Sequence, residues 1–177
     1  DACAIIAWRI VDTEIRNTGG GAAGSNVAMS LSPYRGLVLG CYIDGVRGRG
    51  IYDNFGVAAT IAFTVIRNCG LDGIKFDGNY GPEILNCTIN NCTGDGIEAN
   101  VGNLRKTSIY NCTISNNGGY GINLVDGDIA RNDRIIRGRW DYNNIYNNTS
   151  GARNNFSPGD HDTALDPTFT DASGENY

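Results

Sequence analysis

The 177-residue sequence is short of several things at once: it has one Met, one His, four Pro and two Lys. Each scarcity removes a class of protein. With little Lys or Met beside 25 Gly and 22 Asn, which are poor helix formers, a helix-rich architecture is disfavoured. Basic residues number 14 against 19 acidic ones, giving a net charge of −5 and a pI near 4.7. That balance excludes a nucleic-acid binder that works by bulk charge. No apolar run approaches the roughly 20 residues needed to cross a membrane. The chain opens at Asp1, inside a repeat and without a signal-peptide pattern, and so reads as a piece of a longer or processed polypeptide. Its length fits one domain or a run of small repeats.

What is present is a period. Gly50-Ile51, Gly73-Ile74, Gly96-Ile97 and Gly121-Ile122 recur at steps of 23, 23 and 25 residues. A second column runs Ile15, Ile43, Ile66, Ile89, Ile114 and Ile145. Two residues after these come Asn17, Gly45, Asn68, Asn91, Asn116 and Asn147. Two residues before most of them lie Cys41, Thr64, Cys87, Cys112 and Asn143. Registers that agree in this way mark a solenoid built from repeated units.

Around each anchor the pattern alternates with period two. Leu85, Cys87 and Ile89 read as one face and Asn86 and Thr88 as the other; Ile74 and Phe76 read inward with Lys75 outward, as do Ile97 and Ala99 with Glu98. Each period therefore reads as two short strands, a corner and a looser segment such as 78–82 or 100–106. One such coil cannot bury its apolar face alone, whereas stacked coils pair in parallel at about 4.8 Å. The expected fold is all-β, a parallel β-helix of about six coils over residues 1–150. Its first coil, 1–35, is irregular, an insertion falls at 126–139, and 151–177 is a loop-like capping segment. Asn and Gly at the corner suit a left-handed backbone, and stacked Asn side chains can bond to one another. A row of Asn binding a polar ligand is the functional alternative.

Six cysteines raise the question of disulfides. Stacked positions hold side chains nearly parallel and about 4.8 Å apart, wider than a disulfide prefers, so free buried thiols are expected. Zinc is disfavoured because Cys87 and Cys92 should point apart and His161 lies far away in sequence. The six Asn-X-Ser/Thr sequons arise from the repeat itself and say little about glycosylation.

The outward positions of the second strand and its entry corner make a possible groove. Arg49, Asp72, Asp95 and Tyr120 form one column, and Tyr52, Lys75, Glu98 and Asn123 the next. Asp72 and Asp95 about 5 Å apart would match the carboxylate spacing of a retaining glycosidase. The competing reading is ordinary Asp-Gly turn chemistry beside a Lys75–Glu98 surface pair. No cofactor is expected, although the spacing of Asp126, Asp128 and Asp133 allows calcium ligands to converge. Tyr42, Tyr52, Phe63, Tyr80 and Tyr120 are candidates for stacking on sugar rings or packing on a partner, with Tyr52, Tyr80 and Tyr120 as the ligand-binding choice.

The phased Gly-Ile strands, the Asn ladder and the 23-residue step resemble the right-handed parallel β-helix superfamily, which includes pectate-lyase-like enzymes and phage tailspikes. The segments Ser157–Asp162 and Asp166–Asp171 resemble a stretch found after the last coils in such proteins. The resemblance implies the fold and leaves function open. Its polygalacturonase-like members carry a Gly-His-Gly signature absent from these coils, and its epimerase-like members an Asp-Pro-His-Asp motif that Gly159–Asp162 lacks. His161 therefore reads as tying down the terminal loop. The expectation is a non-catalytic module of a surface or virion assembly, located on a virion or cell surface or extracellularly. Its expected partners are copies of itself in a homotrimer, other surface proteins, and glycans. The alternative is a polysaccharide lyase or glycoside hydrolase, with Asp72, Asp95 and Glu98 as acid, base or nucleophile and Arg49 and Lys75 neutralising an acidic sugar.

Overall fold

The computed structural model describes residues 3–7, 9–17, 26–31, 36–54, 59–77, 81–100, 107–125, 140–155 and 157–169. These form three parallel sheets in which every strand pairs with its equivalent one winding away. Sheet A stacks β1 (Cys3–Ala7), β4 (Val27–Leu31), β7 (Arg49–Asp53), β10 (Ile74–Asp77), β13 (Ile97–Asn100), β16 (Tyr120–Leu124) and β19 (Gly151–Asn154). Sheet B stacks β2 (Arg9–Val11), β5 (Leu37–Leu39), β8 (Thr60–Ala62), β11 (Glu83–Leu85), β14 (Ser108–Tyr110) and β17 (Trp140–Asp141). Sheet C stacks β3 (Glu14–Arg16), β6 (Tyr42–Asp44), β9 (Val65–Arg67), β12 (Thr88–Asn90), β15 (Thr113–Ser115) and β18 (Asn144–Tyr146). No helix occurs among the described residues.

The predicted stacking holds: Ile74 pairs with Ile51 and Ile97, and Ile89 with Ile66 and Ile114. These isoleucines are almost fully buried, and each contributes about 1.5–3 kcal/mol by leaving water. Phe76, Ile84 and Ile109 close the same interior. The predicted two strands per winding are corrected to three. Residues 83–90 look like one alternating strand, but Asn86 adopts φ 53° and splits them into β11 and β12. The kink puts Ile84 inward and turns Leu85, expected on the inner face, partly to solvent. Gly151–Asn154, read as loop, forms β19 against β16.

Two left-handed corners therefore recur in each winding. The second holds the expected Asn17, Gly45, Asn68, Asn91, Asn116 and Asn147. The first, between sheets B and C, holds Asp12, Gly40, Phe63, Asn86, Asn111 and Tyr142. Asn, Asp and Gly suit this backbone; a bulky side chain there costs roughly 1–2 kcal/mol. The amides stack as expected: Asn91 Nδ2 donates to Asn68 Oδ1 at 2.7 Å, and Asn111 Nδ2 to Asn86 Oδ1 at 2.6 Å.

Gly73 shows why glycine precedes the sheet A isoleucine. A Cβ there would stand 2.5 Å from Ile89 Cγ2 and 2.7 Å from Gly96 O. Cys41, Cys69, Cys87, Cys92 and Cys112 are free and buried. The neighbouring Cys92 and Cys112 thiols, together with burial, push the Cys69 and Cys87 thiols up. In the same inner columns polar side chains cap backbone amides. Thr64 Oγ1 accepts from Cys41 N, Asn117 Oδ1 from Cys92 N, and Asn143 Oδ1 from Cys112 N.

At the far end, residues 157–169 fold back on the last winding. Thr163 bridges Asn144 in parallel and so extends sheet C by one residue. Asp162 accepts from Asn143 N and pairs with Arg153, while Asn144 exchanges two hydrogen bonds with the Leu165 backbone. His161 Nδ1 lies 2.8 Å from Asp141 Oδ2, and its ring stacks on Tyr142 at 4.4 Å. His161 ties down the loop, as its position in the sequence suggested.

Candidate functional site

The outer face of sheet A carries the two columns read from the sequence. Lys75 pairs in register with Tyr52 and Glu98, and Glu98 with Asn123. Asp72 and Asp95 sit just before β10 and β13, where Gly50 N donates to Asp72 O and Gly73 N to Asp95 O. The repeat thus places Asp72, Asp95 and Glu98 together, with a carboxylate oxygen from each within 4.8 Å of the others.

Each of these groups already has partners. Asp72 Oδ1 accepts the Asp95 N–H at 3.0 Å and Asp72 Oδ2 the Arg49 Nε–H at 3.1 Å. Asp95 repeats the arrangement one winding on, accepting from Tyr120 N at 2.6 Å and from Asn123 Nδ2 at 2.7 Å. Lys75 Nζ donates to Glu98 Oε1 at 2.6 Å. Both aspartates are buried, and burial is the main reason the Asp95 carboxyl is raised above its ordinary value, against the pull of its two donors. A general acid must carry a proton on an oxygen aimed at substrate, whereas both Asp95 oxygens face donors of the protein itself.

The trio offers a cation three carboxylates, but Arg49 and Lys75 already neutralise two of them, and a divalent ion prefers six or more oxygen ligands. The donor set therefore fits an ion pair network better than calcium. The other calcium candidates, Asp126, Asp128 and Asp133, lie outside the described residues, as does Tyr80.

Of the aromatic candidates, Tyr52 is engaged on two sides. Its hydroxyl donates to Asp77 Oδ2 at 2.8 Å, and the Arg49 guanidinium lies 5.4 Å from its ring centroid. Burial first, and then the Asp77 bond, push its phenol up to about 12. Tyr120 is half-buried beside the Gly151 backbone. Tyr42 lies under the Arg16 guanidinium at 4.6 Å. Phe63 is 63% exposed.

Column reading did not single out an open groove of about 550 Å³ along the second corner, lined by Asn68, Asn91, Asn116 and Thr93 with the backbone of Gly45 and Gly70. The Asn column marked its floor, but a concave surface depends on how far the corner folds, which periodicity does not reveal.

A family model described as a right-handed β-helix region matches residues 8–149. No curated protein and no solved structure matches the chain significantly.

Proposed function

The chain belongs to the right-handed β-helix family, and from that footing we propose that it is a non-catalytic module of a surface or virion assembly. It acts there as a rod whose outer faces meet glycans and neighbouring proteins, with copies of itself as the first partner, in a homotrimer. The observation that carries this reading is the use of Asp72 and Asp95. Each spends its carboxylate on the backbone amide of the next winding, so the residues that could act on a sugar serve the stack. The test is incubation of the whole protein with polygalacturonate, alginate and neutral glucans. Unsaturated products and new reducing ends are followed, and light scattering gives the assembly mass. No cleavage and a three-chain mass are expected. Cleavage that disappears in a folded Asp72→Asn, Asp95→Asn double variant would overturn the reading.

The convergence of Asp72, Asp95 and Glu98 favours a second reading, a polysaccharide lyase or glycoside hydrolase in which Lys75 and Arg49 hold an acidic sugar. The same double variant decides between the two.

A further inference from the structure

Phe63 occupies the first left-handed corner with φ 51° and keeps 63% of its surface exposed. Equivalent corners use Asp12, Gly40, Asn86 and Asn111, all suited to that backbone, and then Tyr142. A phenyl side chain there bears strain and gains little burial in return. An isolated exposed aromatic is ordinary; one held in a disfavoured conformation points to a use.

Asn86 lies one winding along from Phe63. Its Oδ1 accepts from Asn111 Nδ2, and no acceptor engages its own NH2 among the described residues. In the other amide ladder the equivalent NH2 of Asn91 donates to Asn68 Oδ1, the corner residue one winding back. At the first corner that place is taken by Phe63, which has nothing to accept with. Among the described residues no donor reaches Asn111 Oδ1 from the Tyr142 winding either. Tyr142 is 47% exposed and is backed by the His161 ring. The corner thus presents an aromatic face, an open donor, an open acceptor and a second aromatic, in that order along the rod.

We propose that Phe63, Asn86, Asn111 and Tyr142 form a binding strip for an extended neutral oligosaccharide lying parallel to the rod. A pyranose offers an apolar C–H face to a phenyl ring, and hydroxyls that both accept and donate to amides. The rise of about 4.8 Å per winding is close to the length of one sugar in an extended chain. The four side chains carry no charge, Asp141 stands beside Tyr142, and the chain has a net charge of −5, so a polyanionic glycan is disfavoured. The strip goes beyond the non-catalytic reading and rests on it only in that the sugar is held and left uncut.

The whole chain is titrated calorimetrically with hexasaccharides of β-1,4-linked glucose, β-1,4-linked N-acetylglucosamine and α-1,4-linked galacturonate. At least one neutral hexasaccharide is expected to bind, and the galacturonate to bind more weakly. Phe63→Ala should weaken the neutral sugar about tenfold or more, and Tyr52→Ala less than about twofold. Phe63→Asn separates binding from folding, because Asn suits the corner and supplies the acceptor that Asn86 lacks. It should raise the melting temperature and still lose the sugar. The proposal is overturned if neither neutral hexasaccharide binds at millimolar concentration, or if both Phe63 variants bind like the native chain. A loss confined to Tyr52→Ala would place the glycan on sheet A instead and overturn the strip. Cutting of the sugar would overturn the non-catalytic reading while the Phe63 affinities still judged the strip.

Discussion

Asp72 Oδ1 accepts the backbone N–H of Asp95 at 3.0 Å, so a side chain of one winding completes the main chain of the next. Asp95 does the same for Tyr120. Asp72→Ala should therefore lower stability by about 1–3 kcal/mol, since it leaves a buried amide without an acceptor and Arg49 without its partner. Asp72→Asn keeps an acceptor and should lose less. Urea denaturation of the two variants measures the difference. An Ala variant as stable as the native chain would make Asp72 a catalytic candidate again.

Gly73→Ala should destabilise by about 1–3 kcal/mol, because the added methyl meets both the Gly96 carbonyl and Ile89 and neither is free to retreat. Its thermal midpoint should fall while its sheet spectrum by circular dichroism is retained. An unchanged midpoint would mean that the windings are less closely stacked than described.

The terminal latch should depend on pH. The Asp141 hydrogen bond raises the His161 imidazole above its ordinary 6.5, so its contribution is full below 6.5 and is lost as pH rises through the higher folded value. Asp141 is lowered from 3.8 by the same bond, so its contribution is present above 3.8 and lost as pH falls through the lower folded value. The groups facing this pair also include Asp160, while Asp162 is occupied by Arg153. Limited proteolysis within 157–169 should be slower at about pH 5.5 than at about pH 8.5. His161→Ala should abolish the difference.

The five described thiols should resist modification in the native state. All are buried, and Cys41, Cys69 and Cys87 are raised above the usual thiol value, which lowers the thiolate fraction. At these five positions labelling by an aromatic disulfide reagent should appear only on denaturation. Fast native labelling at Cys69 or Cys92 would show that the second corner opens in solution.

Repetition makes the fold legible in advance. Ile51, Ile74, Ile97 and Ile122 recur because they fill one interior, and a fixed interval in sequence becomes a fixed height along the rod. The Lys75–Glu98 neighbours and the meeting of Asp72 with Asp95 are readable for the same reason. The first corner is not, because Asp12, Gly40, Phe63, Asn86, Asn111 and Tyr142 share a backbone conformation but no residue type. Without that corner the third strand merges into the second, and Leu85 falls on the wrong face. Which atoms a carboxylate engages is also hidden. Spacing brings Asp72 near Asp95 but does not say that its oxygen meets a main-chain amide, which depends on the path of the turn before β13.

The uniform 23-residue register from Ile51 to Ile97 means that a whole winding can be taken out here without shifting the phase of any strand that follows. Excising residues 71–93 would join Gly70 to Gly94, which occupies the position of Leu71, so that Ile97 would stack on Ile51, Ile114 on Ile66 and Asn116 on Asn68. One residue too many or too few within a strand would turn that strand's isoleucine outward. The segments between strands absorb such differences: Met29 pairs with Ile51 at a step of 22 and Ile97 with Ile122 at 25, all of them inward. A gene encoding such a rod is thus free to lengthen or shorten by duplication or loss of complete turns, and to vary the segments that join its strands.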